Sequence, residues 1–275
     1  MPHLMTKQRG VRRESNFTAR PGATWGTALT SDSVAHTEPA TETQLIASTA
    51  FDTDMVRIWF HSNLGAATDT ASLVNIKVGA AGSEQTIIPN LTACGAGTGG
   101  SQAMMGYSFP LRIPAGSRIS ATHRSVRTSV ALYCLIELLG GGDGHHWVGT
   151  AVEDVGANTA DSGGTAVTMG TTAEGTLTSI GTNTYDWGYI VPGIANNGDT
   201  ATLANLHGWD IASGSSTTDL IPGLEDFLSH ANASEFFMHY IPGRYLHIPA
   251  GTTLYARGRT SGNAEDLDVI LYGVY

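Results

Sequence analysis

Two aspartates, Asp52 and Asp54, stand two positions apart at the start of an alternating segment and are the first candidates for chemistry. Paired carboxylates can bind Ca²⁺ or act as the acid and base of glycoside hydrolysis. A second, similar stretch of the chain has Tyr185-Asp186 at the corresponding place, so only one of the two acids recurs. We therefore interpret the pair as the polar start of a strand and not as a catalytic centre.

The ten histidines are the candidates for a metal site. Asp143, His145 and His146 lie close together, but on a glycine-rich tether that does not hold ligands in a fixed geometry. Three further histidines fall on or beside predicted strands, where we interpret them as surface or interface residues: His207, His239 and His247. No His-x-x-x-His or His-Glu-x-x-His spacing occurs, so the sequence predicts no bound metal.

A glycine-rich stretch, Gly95-Ala-Gly-Thr-Gly-Gly100, has the spacing of a dinucleotide-binding loop. Such a loop needs a strand before it and a helix after it, whereas here a strand is predicted to follow. No Gly-x-Ser-x-Gly, Walker or Cys–His signature is present either. The two cysteines, Cys94 and Cys134, lie in one half of the chain and are interpreted as small apolar residues. The sequence therefore predicts no cofactor, no disulfide and no enzymatic activity.

The elements that must position these groups are organised around a stretch that occurs twice, Ile113-Pro-Ala-Gly116 and Ile248-Pro-Ala-Gly251. Each copy lies between an apolar strand end and a new alternating strand. Proline restricts its own φ, and a glycine two residues later supplies the φ that a tight turn needs. Four residues are therefore predicted to form two equivalent structural turns: Pro114, Gly116, Pro249 and Gly251.

The repeat extends beyond these corners. Four further matches support it: residues 86–91 with 219–224, Val56, Ile58 and Phe60 with Trp187, Tyr189 and Val191, Trp25-Gly-Thr-Ala-Leu29 with Trp147-Val-Gly-Thr-Ala-Val152, and residues 130–139 with 267–275. Short strands separated by Gly and Pro turns are typical of β-sandwiches. We predict an all-β protein with two tandem, antiparallel, jelly-roll-like domains that arose by duplication. Their predicted bounds are 23–140 and 147–275, joined by a Gly-rich linker at 141–146.

Two local patterns refine this prediction. Val56, Ile58 and Phe60 alternate with polar or larger residues, which indicates a strand that is covered on one face. Residues 222–230 begin with Pro-Gly and carry two acids early, which favours one or two helical turns. The tryptophans Trp25 and Trp147 occupy matching places in the proposed repeat, so we interpret both as structural.

Residues 1–22 are basic, polar and aperiodic, and are predicted to form an arm, which is either a disordered terminus or a segment that orders against a neighbouring subunit. Five basic residues make up its positive charge: Lys7, Arg9, Arg12, Arg13 and Arg20. The whole chain has a formal net charge of −10, so the part after the arm is strongly acidic. This charge difference favours docking of the arm on a neighbouring subunit in a homo-oligomer. An acidic body argues against nucleic-acid binding, and without a run of eighteen or more apolar residues membrane insertion is not expected.

The segment from Leu73-Val-Asn-Ile-Lys-Val to Ile-Ile-Pro-Asn-Leu91, with Phe109-Pro-Leu-Arg-Ile-Pro-Ala-Gly-Ser-Arg-Ile119, resembles segments of virion proteins of tailed bacteriophages. The resemblance implies a jelly-roll-like sandwich and a role in particle assembly or attachment. The expected function is thus that of a non-enzymatic virion structural protein, tail-associated or capsid-decorating, with other virion proteins as partners. The alternative is a host-surface carbohydrate- or receptor-binding module, because jelly-rolls often carry such sites on their loops.

Overall fold

The protein is described by a computed structural model that covers residues 11–17, 26–61, 71–93, 104–140, 147–196, 205–221, 226–230, 239–240, 243–262 and 266–275. These residues form β-strands and one short 3-10 turn at Thr217–Asp219, and none of them forms an α-helix. Nor does any helix among them have the length and apolarity needed to cross a membrane. The all-β prediction is confirmed.

The first half of the chain folds into two antiparallel sheets. Its strands are β1 (Arg12–Ser15), β2 (Thr27–Thr30), β3 (Thr43–Ile46), β4 (Thr53–His61), β5 (Ser72–Val78), β6 (Gln85–Ala93), β7 (Met104–Phe109), β8 (Ile119–Ser125) and β9 (Ala131–Gly140). One sheet has the order β1-β9-β4-β7, with β2 also pairing with β9, and the other has the order β3-β8-β5-β6. From β2 to β9 the chain changes sheet at every step except between β5 and β6, which is the order of a jelly roll.

The second half repeats this topology. Its strands are β10 (Val152–Val155), β11 (Thr165–Thr168), β12 (Thr178–Thr182), β13 (Trp187–Asn196), β14 (Asn205–Ala212), β15 (Asp226–His230), β16 (His239–Tyr240), β17 (Arg244–Ile248), β18 (Thr253–Thr260) and β19 (Asp266–Val274). The sheets have the orders β10-β19-β13-β17, with β11 on β19, and β12-β18-β14-β15. Apart from β16, which pairs in parallel with β7, each strand of the second half has a counterpart in the first half. The predicted pair of jelly rolls is confirmed, whereas the exact domain bounds stay a prediction.

The apolar alternation of β4 has the predicted consequence. Val56, Ile58 and Phe60 are all buried in the core of the first half. The closing strand β19 behaves differently, since all its residues from Leu267 to Val274 are buried. A strand that is covered on both faces needs apolar residues at successive positions, and not only at alternate ones. In β19 the second cover is the first jelly roll.

The ladder pairings correct one predicted match between the halves. Thr27 pairs with Cys134 on β9, and Thr165 pairs with Val269 at the same place on β19. The Gly-Thr-Ala-Val that contains Thr165 is thus the counterpart of Gly26-Thr-Ala-Leu29. The predicted counterpart, residues 149–152, is wrong because that segment leads into β10, the equivalent of β1.

The predicted alignment of β4 with β13 is also out of register. Phe60 lies opposite Cys134, and Ile194 lies opposite Val269, so Phe60 corresponds to Ile194 and not to Val191. Both strands are rich in apolar residues, so several alignments give a similar hydrophobic match. Only the pairing with the neighbouring strand selects one of them.

The predicted helical turns at residues 222–230 are wrong for the part that the structure describes. Asp226–His230 forms β15, which pairs antiparallel with β14 over five residue pairs. The edge of β14 presents unpaired backbone groups, and a ladder satisfies more of them than an isolated turn of helix satisfies within itself.

Candidate functional site

The two repeated corners form equivalent turns, as predicted. Gly116 has φ 82° and Gly251 has φ 80°, which is the left-handed region. In each turn the N–H of the residue after glycine donates to the carbonyl of the corner proline, Pro114 or Pro249, at 3.3 Å. Proline and glycine are therefore used for the backbone geometry of the turn.

One carboxylate braces each corner. Asp52 Oδ1 accepts a hydrogen bond from the backbone of Ala115 at 2.8 Å, and Asp186 Oδ1 accepts one from Ala250 at 2.7 Å. Asp52 also lies 3.6 Å from the guanidinium of Arg112. The acid that recurs in both halves is thus a brace of the turn.

A polar side chain that sequence reasoning missed completes each corner. Thr49 Oγ1 donates to the proline carbonyl at 2.7 Å and accepts from the backbone of Ser117 at 3.0 Å. In the second half Asn183 does both, donating to the carbonyl at 2.9 Å and accepting from Thr252 at 2.8 Å. The residue types differ, so no sequence match indicated the equivalence.

The basic N-terminal segment is partly ordered against its own chain. Residues 12–15 form β1 on β9, which corrects the prediction of an irregular arm for this part. Arg13 forms an ion pair with the buried Glu137, to which Arg57 also lies at 3.5 Å. Contact with another subunit stays a prediction for the five basic residues, of which Lys7, Arg9 and Arg20 lie outside the described residues.

The remaining candidates separate into described and undescribed groups. Cys94, the stretch 95–100 and the linker residues Asp143, His145 and His146 lie outside the described residues. Cys134 is a free thiol whose pKa is raised by complete burial. His207 and His239 lie on β14 and β16, and His247 is exposed on β17. Within the described ranges, no group of three or more His, Cys, Asp or Glu could hold a metal ion.

The described tryptophans have different environments. Trp187 is fully buried, and its Nε1 donates to Glu153 Oε2 at 2.8 Å. Trp209 is buried on β14, whereas Trp147 is 44% exposed and packs against Gly188. Tyr185 and Tyr245 are also largely exposed. The part of the second half around the start of β13 thus presents aromatic side chains to solvent.

A buried histidine in the first jelly roll escaped the sequence analysis. One ring nitrogen of His123 lies 3.1 Å from the carbonyl of Leu29, and the other lies 3.0 Å from Ser72 Oγ. Burial lowers the pKa of His123 to about 4, so the ring is neutral at pH 7. It joins β8 to β2 and β5 as a structural group.

The two jelly rolls meet at a buried seam, and Tyr272 of β19 lies at its centre. The Tyr272 hydroxyl donates to the carbonyl of Asn90 at 2.8 Å and accepts from the N–H of Thr92 at 2.7 Å. Its ring lies 5.8 Å from that of Tyr107 and 6.2 Å from that of Phe109, both edge to face. One side chain thus satisfies the backbone of β6 and fills an aromatic cluster on β7.

Backbone and polar contacts extend the seam. Gly149 donates to the carbonyl of Pro110 and accepts from the N–H of Arg112, each at 2.9 Å. Asn90 Nδ2 donates to Asp154 Oδ2 at 3.3 Å, while burial raises the pKa of Asp154. The apolar residues of both halves belong to one core cluster. The halves are therefore packed together in spite of the glycine-rich sequence between them.

A cavity of about 920 Å³ opens at one end of this seam. It is lined by His36, Ala71 and Val126 of the first jelly roll and by residues 156–161, 164–166, Ile180 and Asp268 of the second. Asp268 is buried on β19, whereas Asp161 is exposed at the rim. Both halves thus contribute to a polar cavity that contains two carboxylates and an imidazole.

A contact across the seam holds the mouth of the cavity. His36 Nδ1 lies 3.1 Å from Oγ of the buried Ser162. Both residues have left-handed backbones, with φ of 61° and 57°. Such conformations are unfavourable for residues other than glycine and persist where the surrounding structure enforces them.

No protein-family model matches the chain, and no curated protein matches it. Solved structures do show a similar fold. PNGase F, a glycosylasparaginase from Flavobacterium meningosepticum, has a TM-score of 0.40 and 10% identity over 96% of each chain. A chain of the Sulfolobus Turreted Icosahedral Virus structure has a TM-score of 0.35 and 10% identity over 96% of this chain and 90% of that one. The CBM22-1–CBM22-2 tandem domain of Paenibacillus barcinonensis Xyn10C has a TM-score of 0.28 and 14% identity, covering 96% and 91%.

These neighbours correct one prediction. The sequence analysis excluded enzymatic activity, yet a protein with a similar fold is the glycosylasparaginase PNGase F. At this identity the likeness concerns the fold alone, and a fold does not determine function. The prediction of no enzymatic activity is not kept, since the absence of a known motif does not by itself exclude catalysis.

Proposed function

We propose that the protein is a structural component of a virus particle, on the tail or the capsid exterior of a tailed bacteriophage, and acts through contacts between subunits. The observation that carries this proposal is the buried seam that joins two jelly rolls of the same topology through one apolar core. A chain built in this way is a stiff block, because neither half can rotate without exposing Tyr272 and its neighbours.

The exposed aromatic surface is the proposed contact between copies of the chain. Tyr185 stacks on Tyr275 with ring centroids 4.0 Å apart, and Tyr245 lies 4.9 Å from Tyr189 in an edge-to-face arrangement. The two pairs are adjacent because Tyr189 lies opposite Val274, next to Tyr275. Tyr and Trp are enriched in protein interfaces, where they provide large contact areas for little loss of entropy.

Two measurements test the proposal. Mass spectrometry of purified particles should find the chain as a stoichiometric component, and sedimentation of the purified protein should show a defined oligomer. Replacing Tyr185 and Tyr245 by alanine should weaken this oligomer. Val34, another exposed apolar residue, provides the matched control as Val34→Ser. A monomeric protein that is absent from purified particles would refute the proposal.

Binding of a carbohydrate on a host surface is the second candidate function. The cavity between the jelly rolls favours it, because concave sites with a few convergent polar groups are the usual form of small-ligand sites. A particle protein can have both functions, so this candidate does not compete with the first.

A further inference from the structure

We infer that the outer face of the sheet formed by β1, β9 and β4 binds the second jelly roll of another copy of the chain, head to tail. The inference rests on the proposed function and deepens it, because it names the surface on the neighbouring copy that meets the exposed tyrosines. Such a contact repeats between copies the packing that the seam shows within one copy.

The seam shows how the chain covers the equivalent face of its second half. The pairings of β2 and β11 make Cys134 of β9 the counterpart of Val269 of β19. Alternate residues of a strand share one face, so every second residue after this pair lies on the outer side of its sheet. Three residues of β9 thereby take the positions of three residues on the seam side of β19: Leu135 for Ile270, Glu137 for Tyr272 and Leu139 for Val274.

The strand β9 has the composition of a strand that is covered on both faces. Each of its residues from Ala131 to Leu139 is apolar or aromatic except Glu137, as in the doubly covered β19. A strand with one face in water alternates apolar with polar residues instead. The outward residues Tyr133, Leu135 and Leu139 are nevertheless only half-buried. The sequence of β9 therefore fits a second cover that the described residues of one copy do not complete.

The neighbouring strand β4 continues this apolar surface. Trp59 lies opposite Leu135 and Met55 lies opposite Leu139, and both β4 side chains are half-buried. Tryptophan and methionine are among the residues that are enriched in protein interfaces. We call the whole patch the docking face, and it consists of Met55, Trp59, Tyr133, Leu135 and Leu139.

The charge of the docking face favours a second half over a first half as its partner. At the position of Tyr272 lies Glu137, which forms an ion pair with Arg13 and lies 3.5 Å from Arg57. These arginine side chains are 68% and 42% exposed, so they give the face a positive rim. Residues 147–275 contain fourteen acidic and only three basic residues. Contact between two docking faces would instead bring the arginines of both copies together, which is unfavourable.

The matching surface of the second half is the counterpart of the one that the first half uses in the seam. There the Phe109 ring packs on Tyr272, and the carbonyl of Pro110 accepts from the N–H of Gly149. The two Ile-Pro-Ala-Gly corners make β17 the counterpart of β7, and Tyr245 the counterpart of Pro110. Tyr245 is 54% exposed. The second half thus presents an aromatic surface where the first half makes its seam contact.

Sedimentation velocity of the full-length protein over a range of concentrations tests the docking face. Leu135→Glu places a negative charge against an acidic partner and should weaken assembly about tenfold or more. Val34→Glu is the matched control, because it introduces the same residue at a 61% exposed apolar position outside the face, and it should assemble like the wild type. Trp59→Ala is the second variant in case Leu135→Glu does not fold, and it should also weaken assembly.

A mixing experiment tests the head-to-tail arrangement. Leu135→Glu keeps the tyrosine surface and Tyr245→Ala keeps the docking face, so an equimolar mixture should form dimers at concentrations where each variant alone is monomeric. A mixture without dimers overturns the inference, as does wild-type assembly of both Leu135→Glu and Trp59→Ala. In either case a wild-type oligomer that is found in particles leaves the proposed function standing. A wild-type protein that is monomeric at every concentration overturns both.

Discussion

Removing the hydroxyl of Tyr272 should weaken the joint between the jelly rolls by an amount that follows from its contacts. In Tyr272→Phe the ring still fills the cluster with Tyr107 and Phe109, but the N–H of Thr92 and the carbonyl of Asn90 lose a partner. Thr92 is buried, and an unsatisfied buried N–H costs about 1–3 kcal/mol. Asn90 is half-buried, so its carbonyl recovers part of the loss from water.

The expected total is about 2–3 kcal/mol of the free energy of unfolding, or a fall in Tm of roughly 4–12 °C. Differential scanning calorimetry measures it directly. Because the two halves share one core, the wild-type protein should unfold in a single transition, and the variant should do so at a lower temperature.

Tyr107→Phe is the matched control. Its hydroxyl donates to the carbonyl of Thr92 at 2.8 Å, entirely within the first jelly roll. By the same rule the control should lower the free energy of unfolding by about 1–3 kcal/mol, but without loosening the seam. Protection of the Thr92 amide from hydrogen exchange should therefore fall much more in Tyr272→Phe. A Tyr272→Phe protein within about 0.5 kcal/mol of wild type, or a wild type with two independent transitions, would refute the reasoning.

Two other predictions follow from the same structure. His123 has a folded-state pKa of about 4, below the usual value near 6.5, so the unfolded chain binds the proton first. The contribution of His123 to the free energy of unfolding should be constant above about pH 6.5 and fall by up to about 3 kcal/mol between pH 6.5 and 4. Urea unfolding across this range checks it, since the difference between wild type and His123→Gln should then change with pH. Gly116→Ala and Gly251→Ala should each lower the free energy of unfolding by about 1–2 kcal/mol. Positive φ is the only source of this loss, because an added Cβ meets no atom within 4 Å. Gly26→Ala should cost roughly 3 kcal/mol, because its Cβ would also overlap the carbonyl of Cys134; equal losses at all three glycines in thermal melts would contradict this reading.

Much of the fold was predictable because it depends on local chemistry. The two Ile-Pro-Ala-Gly corners are turns wherever they occur, since proline and glycine restrict the backbone through their own covalent structure. The alternation of Val56, Ile58 and Phe60 predicted a half-covered strand for the same reason, as successive side chains point to opposite faces. From turns and strands of this kind the duplication and the jelly-roll class followed.

The register of the strands and the cavity between the jelly rolls depend on contacts between residues that are distant in the chain. The pairing of Thr165 with Val269 decided which Gly-Thr-Ala segment of the second half corresponds to Gly26-Thr-Ala28 of the first. The segment near residue 226, predicted to form helical turns, forms a strand that pairs with β14. The cavity is a stronger case, since His36 and Ser162 meet across 126 positions and Asp268 comes from the last strand. By itself the sequence determined the turns, the strands and their repetition, because each is a property of a short segment. Only the tertiary structure decided how the two jelly rolls pack, because a seam is formed by side chains whose neighbours are set by the whole fold.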